Sequence, residues 1–108
     1  MNSDVFVISA ARTPIGSFQG ALAALPAPAL GAHAIRAALD ATPTADAEVS
    51  EVFMGNVVSA GLKQAPARQA MREAGLPDAC GATTVNKVCG SGMKAAICLL
   101  YTSDAADD

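Results

Sequence analysis

Residues 82–100 read Ala82-Thr83-Thr84-Val85-Asn86-Lys87-Val88-Cys89-Gly90-Ser91-Gly92-Met93-Lys94-Ala95-Ala96-Ile97-Cys98-Leu99-Leu100. The β-branched run over 82–88 predicts a strand, although Asn86 and Lys87 make it unusually polar. It passes without a linker into Cys89-Gly90-Ser91-Gly92, and then Met93, Ala96, Ile97 and Leu100 recur at helical spacing as one apolar face. The same alternation extends toward the N-terminus. Pro66 opens a helix whose face is Ala67, Ala70, Met71 and Ala74, and Gly75 followed by Pro77 closes it. Val49–Val58 predicts a second strand, with Gly55-Asn56 marking a bulge or a close approach near its end. Leu30, Ala34, Ile35, Ala38 and Leu39 predict a helix over about 28–40, started by Pro28 and stopped by Thr42-Pro43. Val5-Phe6-Val7-Ile8 predicts a first strand, followed by the loop Arg12-Thr13-Pro14-Ile15-Gly16. Strand and helix thus alternate three times, which favours an α/β fold with a parallel or mixed sheet and helical crossovers.

Composition narrows the function. The chain has 108 residues, 52% hydrophobic but only 4% aromatic, and 25 of them are alanine. Helices can therefore approach their neighbours closely, and bulky core residues are scarce. With 7 basic and 10 acidic residues and no Lys/Arg cluster, the chain is not built for nucleic acid or an anionic membrane. No apolar run nears the roughly 18 residues of a bilayer span. Met1-Asn2-Ser3-Asp4 carries no basic leader region, so a cytoplasmic location is expected. Cys80, Cys89 and Cys98 are odd in number and lack C-x-x-C spacing, which points to a reducing compartment. Their nine-residue intervals, with His33 the single histidine, do not describe a zinc site, and no metal is expected.

Ligand sites in such sheets lie beyond the carboxyl ends of the strands, where helices begin, and Cys89 falls at such a junction. A helix N-terminus offers unpaired N–H groups and a positive dipole end, which favour a thiolate and can stabilise an oxyanion. Gly90 and Gly92 clear side chains from the approach of a carbonyl, and Ser91 is placed to cap the helix. The same residues also describe a small buried thiol in a tight turn, and spacing alone does not choose between the two. A phosphate loop is not supported, because the full G-x-x-x-x-G-K-[ST] pattern is missing from Gly90-Ser91-Gly92-Met93-Lys94. A G-x-S-x-G elbow fails as well.

The stretch Val85-Asn86-Lys87-Val88-Cys89-Gly90-Ser91-Gly92-Met93-Lys94-Ala95 closely resembles the nucleophile motif of thiolases, in particular the acetyl-CoA acetyltransferase branch. Two further segments agree in order and spacing. Ser9-Ala10-Ala11-Arg12-Thr13-Pro14-Ile15-Gly16-Ser17-Phe18 resembles the family's opening motif. Met54-Gly55-Asn56-Val57 with Gln64-Ala65-Pro66-Ala67-Arg68-Gln69-Ala70 resembles the segment between, and coverage runs from about residue 4 to 97. The resemblance implies an incomplete N-terminal half of a thiolase-fold βαβαβα layered domain, and a Claisen condensation of two acetyl-CoA to acetoacetyl-CoA, or thiolysis in reverse. It gives Cys89 the acyl group as a thioester, with its backbone N–H in the oxyanion hole. It implies coenzyme A thioesters as substrates, no further cofactor, and a homo-oligomer, dimer or tetramer, for the full-length family. Asn56 and Gln64–Gln69 would support the fold and a dimer contact.

Thiolases are several times longer, and the family's activating His, second Cys, active-site Asn and most of the coenzyme A loop come later than this region. His33, Cys80 and Cys98 match none of those positions, so the 108-residue chain alone is expected to be nearly inactive. Residues 98–108 depart from the family pattern and resemble translated read-through of appended sequence, which divides the chain into a partial domain over 1–97 and a divergent tail. Asp104, Asp107 and Asp108 lie in that tail, so the net charge of −3 belongs to it. Other readings are a 3-ketoacyl-CoA thiolase, another thiolase-fold condensing enzyme, and a non-catalytic truncated piece.

Overall fold

The computed structural model describes residues 4–107, and side chains as far as residue 102. Its elements are α1 (Ala27–Asp40), a single 3-10 turn (Asp46–Glu48), β1 (Glu51–Gly55), α2 (Pro66–Glu73), β2 (Gly81–Val85) and α3 (Ser91–Asp107). β1 and β2 pair in parallel, with Glu51 opposite Gly81 and Gly55 opposite Val85. Parallel neighbours need a crossover, and α2 supplies it. The Asn56 N–H extends the ladder by donating to the Val85 carbonyl at 2.9 Å.

Pro28 sits in the first turn of α1, where its missing N–H costs nothing, and Thr42 stops the helix by donating from Oγ1 to the Leu39 carbonyl at 3.2 Å. α2 buries the face the periodicity predicts: Ala67, Ala70, Met71 and Ala74. Among the described residues Met71 is the largest side chain fully buried, clustered with Leu76 and Cys80, and Ile35, Leu39, Val49, Val52 and Ala82 pack around it. Small residues set the spacing of the layers. A Cβ on Gly31 would fall 2.8 Å from Met54 Sδ and 3.2 Å from the Ala70 Cβ.

Two expectations are corrected. Val5–Ile8 does not form a strand; the segment joins no ladder, and Val7 is 92% exposed. Strand propensity cannot replace a partner for the backbone groups, and among the described residues the sheet contains β1 and β2 alone. An apolar cleft of about 690 Å³ lies between this segment and Leu39, Val49, Ala96, Leu99 and Leu100. The second correction concerns α3, whose buried side is Ser91 and Ala95, while Met93, Ile97 and Leu100 are exposed. Small side chains let that face come up against β1, whereas the bulky face has no described element over it. Of the tail residues, Asp108 lies outside the described residues, and the side chains of Asp104 and Asp107 are not described. No described helix is long and apolar enough to cross a membrane.

The Arg36 guanidinium joins three elements. It donates to both Asp46 carboxylate oxygens at 2.8 Å, to Asp40 Oδ1 at 3.0 Å and to the Ala74 carbonyl at 3.0 Å. The end of α1, the 3-10 turn and the end of α2 are thereby tied together. The Asp46 carboxyl is held below its ordinary value of 3.8 by the hydrogen bonds from Arg36. A lowered carboxyl contributes stability that is complete above the ordinary value and lost as pH falls through the lowered one. Asp46→Asn is therefore expected to flatten the acid limb of stability against pH below about pH 4, as read from urea midpoints across the acid range. Met71→Ala is expected to lower unfolding free energy by about 2–5 kcal/mol, measured by urea denaturation.

Candidate active site

β2 ends at Val85, so Asn86 and Lys87 already belong to the turn, which explains their polarity in an otherwise strand-like run. Gly90 N–H donates to the Lys87 carbonyl and Ser91 N–H to the Val88 carbonyl, each at 3.1 Å, and Lys94 N–H donates to the Gly90 carbonyl at 2.9 Å as the helix takes over. Within this turn Val88 has φ 49°, in the left-handed region. For a β-branched residue that costs on the order of 1–3 kcal/mol. Its side chain is 66% exposed, so burial does not offset the strain.

Side chains on both sides hold the strained residue. Asn86 Oδ1 accepts the Val88 N–H at 2.9 Å. Ser91 Oγ accepts the Lys87 N–H at 2.9 Å and donates to the Val88 carbonyl at 2.5 Å. Ser91 is 5% exposed, and its hydroxyl thus reaches back to the turn instead of capping the first N–H groups of α3, the role its position predicts.

Cys89 follows Val88 and is exposed at the start of α3, which removes the reading of it as a buried small hydrophobe. Among the described residues its thiol has no hydrogen-bond partner. The glycines beside it act differently from each other. Gly92 has open space where a Cβ would be, and Gly90 has its nearest neighbour, the Lys87 carbonyl oxygen, at 3.6 Å. Gly55 at the end of β1 is the tight contact: a Cβ there would fall 2.6 Å from the Ser91 carbonyl carbon and 2.8 Å from Gly92 N. The close approach read at Gly55-Asn56 is therefore a contact of β1 with the first turn of α3.

The segment between β1 and α2 serves the scaffold. Asn56 Nδ2 donates to Ser59 Oγ at 2.8 Å, and Gln69 Nε2 donates to the Leu62 and Gln64 carbonyls at 2.6 and 2.7 Å. The Ala67 N–H, at the start of α2, donates to Thr84 Oγ1 of β2 at 2.9 Å. His33 is exposed on α1, away from this turn in sequence, and lines a hollow with Arg36 and Glu73. Cys98 is half-buried. Cys80 is buried, donates to the Gly81 carbonyl at 3.4 Å, and has its thiol pushed up, first by burial and then by the Glu51 charge. Sequence reasoning did not find the roles of Asn86 and of the Ser91 hydroxyl, because a turn of this geometry leaves no periodic signal.

The family model of the thiolase N-terminal domain matches residues 5–102. The chain belongs to the thiolase family. It is 57% identical over 97 residues to an acetyl-CoA acetyltransferase of Schizosaccharomyces pombe, covering 90% of this chain and 25% of that protein. Against the acetyl-CoA acetyltransferase of Cupriavidus necator it is 56% identical over 93 residues, covering 86% of this chain and 24% of the relative. A mitochondrial acetyl-CoA acetyltransferase of Danio rerio is 56% identical over 92 residues, covering 85% of this chain and 22% of the relative. The crystal structure of Acat5 thiolase from Ascaris suum in complex with coenzyme A superposes with a TM-score of 0.87 at 38% identity, covering 90% of this chain and 25% of that one. The thiolase chain described here thus spans about a quarter of the length of these relatives.

The difference between its thiols is directly measurable. Iodoacetamide is expected to alkylate Cys89 well before Cys80, because Cys89 is exposed while Cys80 is buried with its thiol pushed up. Peptide mapping by mass spectrometry over a time course reads the order, and equal rates would contradict it.

Proposed function

We propose that Cys89 is the acyl-accepting nucleophile of an acetyl-CoA acetyltransferase, of which this chain supplies the N-terminal part. The observation that carries the reading is an exposed thiol in the turn that leads from the parallel strand β2 into the N-terminus of α3. The Cys89 sulfur attacks the thioester carbonyl of acetyl-CoA, and the tetrahedral oxyanion takes a hydrogen bond from the Cys89 N–H. Coenzyme A leaves with a proton, and an S-acetyl cysteine remains. The enolate of a second acetyl-CoA then attacks that carbonyl; the new carbon–carbon bond forms, the Cys89 sulfur departs, and acetoacetyl-CoA is released. Run backward, the same steps are thiolysis. Coenzyme A thioesters are the substrates in this proposal, and no other cofactor takes part.

The two proton transfers need a base, and none of the described side chains bonds to the Cys89 thiol. A base positioned within hydrogen-bond reach is worth about 10²–10⁴-fold. We therefore assign those transfers to the part of a longer polypeptide that the relatives possess, and expect negligible turnover from the 108 residues alone. Phe18 and Val7 are each 92% exposed, which fits surfaces meant to be covered by such a polypeptide or by a second copy in a homo-oligomer. The described cysteines are all free, in keeping with a reducing compartment, and we take this to be the cytoplasm.

Incubation with acetyl-CoA, followed by peptide mass spectrometry, tests the assignment with Cys89→Ala as control. A chain extended to the length of its relatives is expected to carry one acetyl group on Cys89, and the 108-residue chain little or none. No adduct in the extended chain, or an adduct that persists in the Cys89→Ala variant, would remove Cys89 from the reaction.

A further inference from the structure

We infer that Ser91, assisted by Asn86, is a positioning residue that aims the Cys89 backbone N–H at the oxyanion. The inference rests on the reading of Cys89 as the acyl acceptor. Val88 and Cys89 share one peptide plane, and no described peptide bond is cis. In a trans peptide the C=O and N–H point in opposite directions. The Val88 carbonyl is turned toward Ser91, accepting both its hydroxyl and its N–H. The Cys89 N–H must then point away from Ser91. The orientation of this donor is therefore set by the bonds that hold the preceding carbonyl.

Those bonds oppose strain. With φ 49° and a β-branched side chain, Val88 would leave this conformation if released, and the peptide plane would turn with it. Asn86 holds its N–H and Ser91 its carbonyl, so each end of the residue has its own side-chain restraint. Ser91 is also the buried polar side chain among the described residues, and its hydroxyl is spent wholly on Lys87 and Val88. Neither Ser91 Oγ nor Asn86 Oδ1 bonds to the thiol, so both act on the reaction through the backbone.

Two reagents separate aim from thiol reactivity in the 108-residue chain. p-Nitrophenyl acetate acylates Cys89 through a tetrahedral oxyanion: the S–C bond forms, the C–O bond breaks, p-nitrophenolate leaves, and the thiol proton goes to solvent. Iodoacetamide alkylates the same sulfur by displacement of iodide, with no oxyanion. Both adducts at Cys89 are followed by mass spectrometry. Because loss of one oxyanion donor costs about 10²–10³-fold, Ser91→Ala is expected to slow acylation roughly 10-fold or more and to leave alkylation within about twofold. Asn86→Ala is expected to shift the ratio in the same direction, and because Asn86 is exposed this variant decides the matter if Ser91→Ala does not fold. An unchanged ratio in the folded variants, a parallel fall in both rates, or wild-type Cys89 that alkylates without acylating would each overturn the inference. Acylation by the ester that depends on Ser91, together with no transfer from acetyl-CoA in the extended chain, would uphold the positioning role and overturn the acetyltransferase reading instead.

Discussion

The parallel pairing of β1 with β2 is the constraint from which the remaining geometry descends. Its register ends both strands side by side, Gly55 opposite Val85. The chain leaving β2 passes through the turn over 86–90 into α3, so the first turn of α3 comes to rest on the end of β1. Contact there is backbone against backbone, and only a residue without a Cβ fits. Gly31 does the same for α1, against Met54 and Ala70, and Arg36 closes the far side by joining α1, the 3-10 turn and α2. An alanine-rich chain with few bulky residues thus gains its cohesion from short distances between elements, with Met71 as the one large side chain enclosed completely among the described residues.

The turn after β2 adds strain to that frame. Val88 occupies a conformation costly for its shape, and hydrogen bonds worth about 1 kcal/mol each hold it from either side. Strain of this kind persists where the surroundings over-determine the backbone, and here it lies next to the exposed thiol of Cys89. The same turn that directs β2 into α3 therefore also fixes the orientation of a backbone donor and presents a sulfur at a helix N-terminus.

Legibility in the sequence followed the kind of signal each residue carries. α1 and α2 could be read because Pro28 and Pro66 mark their starts and their apolar spacing is regular. Val5–Ile8 has the composition of a strand, but composition cannot say whether an edge is available, and the segment stays exposed. On α3 the larger apolar residues suggested the buried face, whereas closeness to β1 selected Ser91 and Ala95. Cys89 was legible as a candidate from its position between a strand and a helix. Asn86, Lys87 and Ser91 were visible as residues but not as a network, because their bonds depend on the left-handed turn at Val88.

By itself the sequence determined the alternation of strand and helix, the family to which the chain belongs and the cysteine placed at the start of α3, since all of these rest on local spacing and on motifs contiguous in the chain. The tertiary structure alone decided which strands pair, which side of α3 is buried, and which way the Val88–Cys89 peptide faces. Those outcomes depend on distances between residues far apart in sequence, above all the approach of Gly55 to Ser91, and local pattern carries no information about such distances.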